Sequence, residues 1–180
     1  MNNVLLPLSV GIPLLTAVVI LLIGKFWKGI GTILAPICGL ITLIFSIDLL
    51  SASTGTYWMG GWPPPFGIVL VVDSLTKVLM LAVNLIAFLA LVYSVSYMEK
   101  YTAIAKYYAL FMLMLAGLNG VVLTGDLFNL FVFLEIASIA SYALVGFGVE
   151  HEELEAGFKY LILGSVASTA ILVGIAIVYN

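Results

Sequence analysis

Apolar residues along this chain gather into long, nearly unbroken runs, not into the alternation of a half-buried strand or the narrow stripe of a surface helix. An α-helix rises about 1.5 Å per residue and the hydrocarbon core of a bilayer is about 30 Å thick, so a run of roughly 20 apolar residues is long enough to cross it. Six such runs stand out, at Val4–Gly24, Ile30–Leu50, Ser74–Tyr97, Ala103–Thr124, Leu127–Phe147 and Ala156–Val178. They predict an all-α integral membrane protein, with residues 1–180 forming a single membrane domain of about six transmembrane helices. The first run has the length of a signal peptide, but no positive segment precedes it and Lys25 and Lys28 follow it, so it reads as a retained helix.

One break between runs is long, from Ser51 to Val72. Tyr57, Trp58 and Trp62 suit headgroup depth. Pro63, Pro64 and Pro65 cannot continue a helix, and the β-branched stretch Ile68–Val72 suits a short extended segment. Residues 51–72 are therefore expected to form an outer interfacial loop that shields helix ends.

Composition narrows the function classes. Hydrophobic residues make up 64% of the chain and charged residues 8%, which excludes a water-soluble globular fold. The basic residues are six lysines with no arginine, so the surface needed for nucleic acid is missing. Cys38 has no second thiol to pair with, and the lone His151 cannot anchor a His/Cys metal cluster. Glycine-rich phosphate loops and cysteine ligand sets are also missing, so no metal or other cofactor and no catalytic chemistry are expected in this chain; redox chemistry would belong to other subunits.

Short cytoplasmic loops collect lysine, while carboxylates weigh little. Lys25 and Lys28 after the first helix, and Lys100 and Lys106 between the third and fourth, place those loops inside a cytoplasmic membrane and both termini outside. The segment holding Glu150, Glu152, Glu153 and Glu155 then also lies inside, as a solvated helix start favoured by the helix dipole. Asp126 is expected to cap the fifth helix, and Asp73 with Lys77 to form an i,i+4 ion pair at the outer interface.

The most informative charge is Glu135, eight residues after Leu127 and so about 12 Å along the fifth helix. A carboxylate at mid-membrane costs about 2.5–3.5 kcal/mol on insertion scales, so it faces a polar interior, finds a partner or takes a proton. Helical spacing puts Ser138 and Tyr142 on its side, with Phe128 and Phe131 below, a stripe that suits a polar relay. A protonated glutamic acid that only cross-links helices is the plainer reading. Lys159, just inside the sixth helix, is either a relay residue or an interfacial anchor that snorkels to the headgroups. Gly164, Ser168 and Gly174 are small enough to permit close helix packing.

The stretches "GGWPPPFGIVLVVDSLTKVL", "YSVSYM", "YYALFMLMLAGLNGVVLTGDLFNLFVFLEIASIASYAL" and "FKYLILGSVAS" resemble, in this order, the N-terminal part of the antiporter-like subunits shared by Mrp-type Na+/H+ antiporters, membrane-bound hydrogenases and respiratory complex I. The likeness is strongest to the Mrp D-type subunit and runs from about Gly60 to the C-terminus. It implies that Glu135 is the family's proton-handling helix-5 glutamate and that Lys159 is a helix-6 lysine of the same relay. In the family the glutamate pairs with a lysine on a broken helix 7, within two inverted repeats. The resemblance thus implies an ion-translocating subunit, moving protons with Na+ as a candidate coupled ion. It contributes a partial proton path in a multisubunit membrane complex, and a partner chain supplies the helix-7 lysine. The alternative is a non-conducting structural subunit that joins transporting subunits to a redox arm. An unrelated small transporter would need a pair of broken, substrate-binding helices, for which the sequence offers no convincing candidates.

Overall fold

The computed structural model describes residues 5–27, 29–64 and 66–179. Val4, Lys28 and Pro65, which entered the first-helix, orientation and outer-loop expectations, lie outside the described residues. The elements are α1 (Leu5–Gly24), α2 (Ile30–Leu50), β1 (Gly55–Trp58), β2 (Val69–Val72), α3 (Ser74–Tyr97), α4 (Ile104–Leu123), α5 (Leu127–Val145) and α6 (His151–Val178). Each of the six helices is long and apolar enough to cross a membrane.

The bundle is organised around α4, which packs against α1, α2, α3 and α5. Its buried face carries Tyr108, Met112, Leu115, Ala116 and Leu123, joined by Ala17, Ile20, Cys38 and Leu91 towards one end and by Leu6, Leu49, Leu70 and Met80 towards the other. Two glycines bring α5 close: a methyl group on Gly117 would sit 2.6 Å from the backbone nitrogen of Ala137, and one on Gly120 would enter the Phe133 ring.

An uncharged polar link ties three helices together in this core. Asn84 Nδ2 donates to Asn119 Oδ1 at 3.0 Å and to Met80 O at 2.9 Å, and Asn119 Nδ2 donates to Ser9 O at 3.0 Å. Both asparagines are fully buried, so each depends on the other for its hydrogen bonds. Asn119→Leu removes the bridge between α1, α3 and α4 and leaves buried polar groups unpaired. It is expected to destabilise the protein by about 1–3 kcal/mol, read as a lower unfolding temperature in detergent, while Ser138→Ala on α5 has a much smaller effect.

The long connection folds into an antiparallel hairpin, with Gly55 opposite Val72 and Trp58 opposite Val69. β2 falls within the extended stretch expected at Ile68–Val72, but it does more than cover helix ends. Leu70 and Val72 point into the core, Leu70 bridges to Thr124, and the Gly125 N–H donates to Val69 O at 2.8 Å. The hairpin is thus stitched to the α4–α5 connection, while Trp58 and Trp62 remain exposed.

The Asp73–Lys77 ion pair does not form. The Asp73 carboxylate instead accepts from the Thr76 N–H at 2.7 Å as the cap of α3, a bond that holds it below the usual carboxylate range. Lys77 Nζ reaches back to the carbonyl oxygens of Ala52 and Leu50, just past the end of α2, where a cation meets unsatisfied carbonyls and the negative end of the dipole. A nearby backbone amide competes better for the aspartate than a long flexible ammonium does.

Helix α6 begins at His151, earlier than the expected Ala156. Glu150 and Glu153 form a reciprocal capping box, with the Glu150 N–H donating to Glu153 at 3.4 Å, so the acidic segment becomes the first turn of the helix. Val149, immediately before the cap, holds φ at 63°, a left-handed conformation that reverses the chain between α5 and α6.

Candidate functional site

Helix α5 is set in place from its N-terminus. The Asp126 carboxylate accepts from the N–H groups of Phe128 at 2.7 Å and Asn129 at 3.4 Å, and Asn129 Nδ2 donates to Thr124 Oγ1 at 3.0 Å. Asp126 thus caps the helix, as its position before the apolar run implies. Tyr179 Oη, at the far end of α6, donates to the same carboxylate at 3.0 Å. That bond to the carboxylate raises the affinity of the Tyr179 phenol for its proton.

From this anchor α5 runs between two neighbours. Phe133 and Ala137 lie against the glycines of α4, while Tyr142 and Gly146 lie against α6. The Tyr142 ring packs edge-on against Tyr160, with centroids 4.7 Å apart, and its hydroxyl occupies the space that a side chain on Gly164 would need. Gly146 meets Gly157, where a methyl group would lie 3.2 Å from the facing Cα. Gly164 therefore serves helix packing, whereas no described residue approaches the position a Cβ on Gly174 would take.

Glu135 stands about 12 Å from the start of α5, two helical turns before Tyr142 and on the same side as it. It is half-buried, and no hydrogen bond or ion pair joins it to another described residue. Ser138 is half-buried and Tyr142 buried, but neither is hydrogen-bonded to Glu135, and the tyrosine is committed to the α6 contact. Lys159 lies near the opposite end of α6, exposed, and pairs with Glu155 one turn earlier. With α5 and α6 antiparallel and Gly146 against Gly157, Lys159 is level with Leu144, about 13 Å along the axis from Glu135. The fold therefore places Glu135, Ser138 and Tyr142 on one face and leaves Lys159 apart from them.

Two fully buried amides deep in the bundle were not singled out by sequence reasoning: Asn84 and Asn119. Their signal is an amide set inside an apolar run, in "LAVNLIA" and "AGLNGVV", where burial demands a partner on another helix. Their role is to join α3, α4 and α1.

The fold and this site define a multi-pass helical membrane protein with a carboxylate, Glu135, set deep in one span. A family profile described as "NADH:quinone oxidoreductase/Mrp antiporter, TM" matches residues 124–180, and one described as "NADH-Ubiquinone oxidoreductase (complex I), chain 5 N-terminus" matches residues 59–108. The chain is 46% identical over 125 residues to the N-type subunit of NADH-quinone oxidoreductase from Desulforudis audaxviator, covering 68% of this chain and 25% of that protein. It is 36% identical over 185 residues to the D-type subunit of a probable K(+)/H(+) antiporter from Rhizobium meliloti, covering 98% and 34%. Among solved structures, a chain of the membrane-bound sulfane sulfur reductase, an archaeal respiratory membrane complex, superposes with a TM-score of 0.90 at 31% identity, covering 99% of this chain and 37% of that one.

The chain belongs to the antiporter-like membrane subunits of Mrp antiporters and complex I, and the resemblance of its motifs to that family holds. It spans about a third or less of the length of these two curated relatives.

Proposed function

We propose that this chain is part of an ion-translocating subunit in a multisubunit membrane complex of the Mrp or respiratory type, in which Glu135 exchanges a proton at mid-membrane. The observation that carries the reading is a half-buried carboxylate about 12 Å into α5 with no cation beside it among the described residues. A carboxylate at that depth is retained only where it has a partner, water or a proton to exchange. The partner comes from outside these six helices: a lysine equivalent to the family's helix-7 lysine, carried by another membrane segment. The transported ion is H+, with a coupled cation that is Na+, as the family resemblance implies, or K+, as in the name of the Rhizobium meliloti relative. A structure of the assembled complex tests the partner. A lysine within about 4 Å of Glu135 supports the reading, and a dry apolar wall around it contradicts it.

The second reading, a structural subunit without conduction, is favoured by two observations: Lys159 is paired with Glu155, and Ser138 and Tyr142 are not bonded to Glu135. Lys159→Ala separates a relay role for Lys159 from an anchoring one. A partial loss of ion flux supports a relay, and unchanged flux supports an interfacial anchor.

The proposed setting is a cytoplasmic membrane, with the ends bearing Lys25, Lys100 and Lys106 inside and the hairpin, with both termini, outside. A cysteine placed at Glu152 is expected to react with an impermeant reagent only from the cytoplasmic side. Labelling only from outside overturns the orientation.

A further inference from the structure

The α5–α6 junction fixes what stands opposite Glu135. Gly146 meets Gly157, Tyr142 meets Tyr160 and Gly164, Phe128 shares a cavity with Leu172 and Ile175, and Tyr179 bonds to Asp126 at 3.0 Å. These contacts lie on both sides of Glu135 along the axis and share one antiparallel register, which sets Glu135 level with Ser168 and Thr169. Burial chooses between them. The positions of α6 that are at least half-buried are Glu153, Gly157, Gly164, Ser168 and Ile175, a single stripe at helical spacing that faces α5, whereas Thr169 is exposed.

Ser168 Oγ already donates its one hydrogen, to Ser165 O at 3.2 Å, so what it offers across the junction is an acceptor. An acceptor suits a carboxyl group that holds its proton and repels one that has lost it.

We propose that Ser168 is a positioning residue for Glu135, accepting a hydrogen bond from the protonated carboxyl across the α5–α6 junction. The proposal rests on the reading of Glu135 as a proton-exchanging group and deepens it, since it holds the carboxyl in one rotamer between proton uptake and release.

The test is infrared difference spectroscopy on the assembled complex in vesicles during ion turnover, with the Glu135 band assigned by its disappearance in Glu135→Gln. Ser168→Ala is expected to move that carboxyl C=O band to higher frequency and to lower flux about fivefold, the factor one ordinary hydrogen bond is worth. Ser168→Thr, which keeps the hydroxyl, restores both. An unmoved band in Ser168→Ala overturns the proposal, and so does a flux loss that threonine fails to repair. A parent complex with no Glu135-dependent band instead overturns the underlying proton-exchange reading, a different result from an unmoved one.

Discussion

Glu135→Gln is expected to leave the complex assembled while ion flux in vesicles falls by about two orders of magnitude, the scale of losing a positioned proton-transfer group. Glutamine keeps the length and the hydrogen-bonding capacity of the side chain and removes only titration. It is also cheaper than a carboxylate at mid-membrane, so stability should be unchanged or slightly improved. A structural role for Glu135 predicts the opposite pattern, because glutamine can cross-link helices as well as a protonated glutamic acid. Normal flux with Glu135→Gln would place the non-conducting reading in front.

Gly117→Val is expected to give a large loss of stability. A Cβ at Gly117 would come within 2.6 Å of the Ala137 nitrogen and 2.9 Å of its Cα, so the obstacle is the backbone of α5 and not the end of a movable side chain. The helices can relieve this only by separating, which also disturbs the neighbouring contact of Gly120 with Phe133. Overpacking of a tight contact costs about 1–3 kcal/mol, and the rigid obstacle puts this site at the upper end or beyond. Thermal unfolding of the purified protein in mild detergent checks it, with Gly174→Val as the control. No described residue lies within 4 Å of the position a Cβ would take at Gly174, and the effect there should be small. Moving α5 also moves Glu135, so flux should fall in Gly117→Val even where some folded protein remains.

The presence of six spanning helices was legible because bilayer thickness leaves few ways to use a long apolar run. The Asp126 cap was legible for a similarly local reason, an aspartate immediately before such a run. The hairpin was half legible. β-branched residues marked β2, but β1, with the sequence "GTYW", has no pattern of its own and is defined by pairing across a proline-containing turn. The supposed Asp73–Lys77 pair shows how spacing misleads at a helix start, where the α3 amides claim the carboxylate and the end of α2 claims the ammonium.

For the candidate site, depth and composition pointed to Glu135, and family resemblance pointed to Lys159. The interhelical register that sets Lys159 about 13 Å away, and brings Ser168 level with the glutamate, depends on how Tyr142 fits over Gly164. That fit is a three-dimensional fact about two helices and leaves no trace in the periodicity of either one.

Gain and loss of a proton by Glu135 during ion translocation is observed directly by time-resolved infrared difference spectra of the working complex in vesicles. The expected result is a carboxyl C=O band that appears and disappears with turnover and is missing in Glu135→Gln. Spectra of the wild-type and Glu135→Gln complexes that coincide in the carboxyl region, with ions still moving, would contradict it.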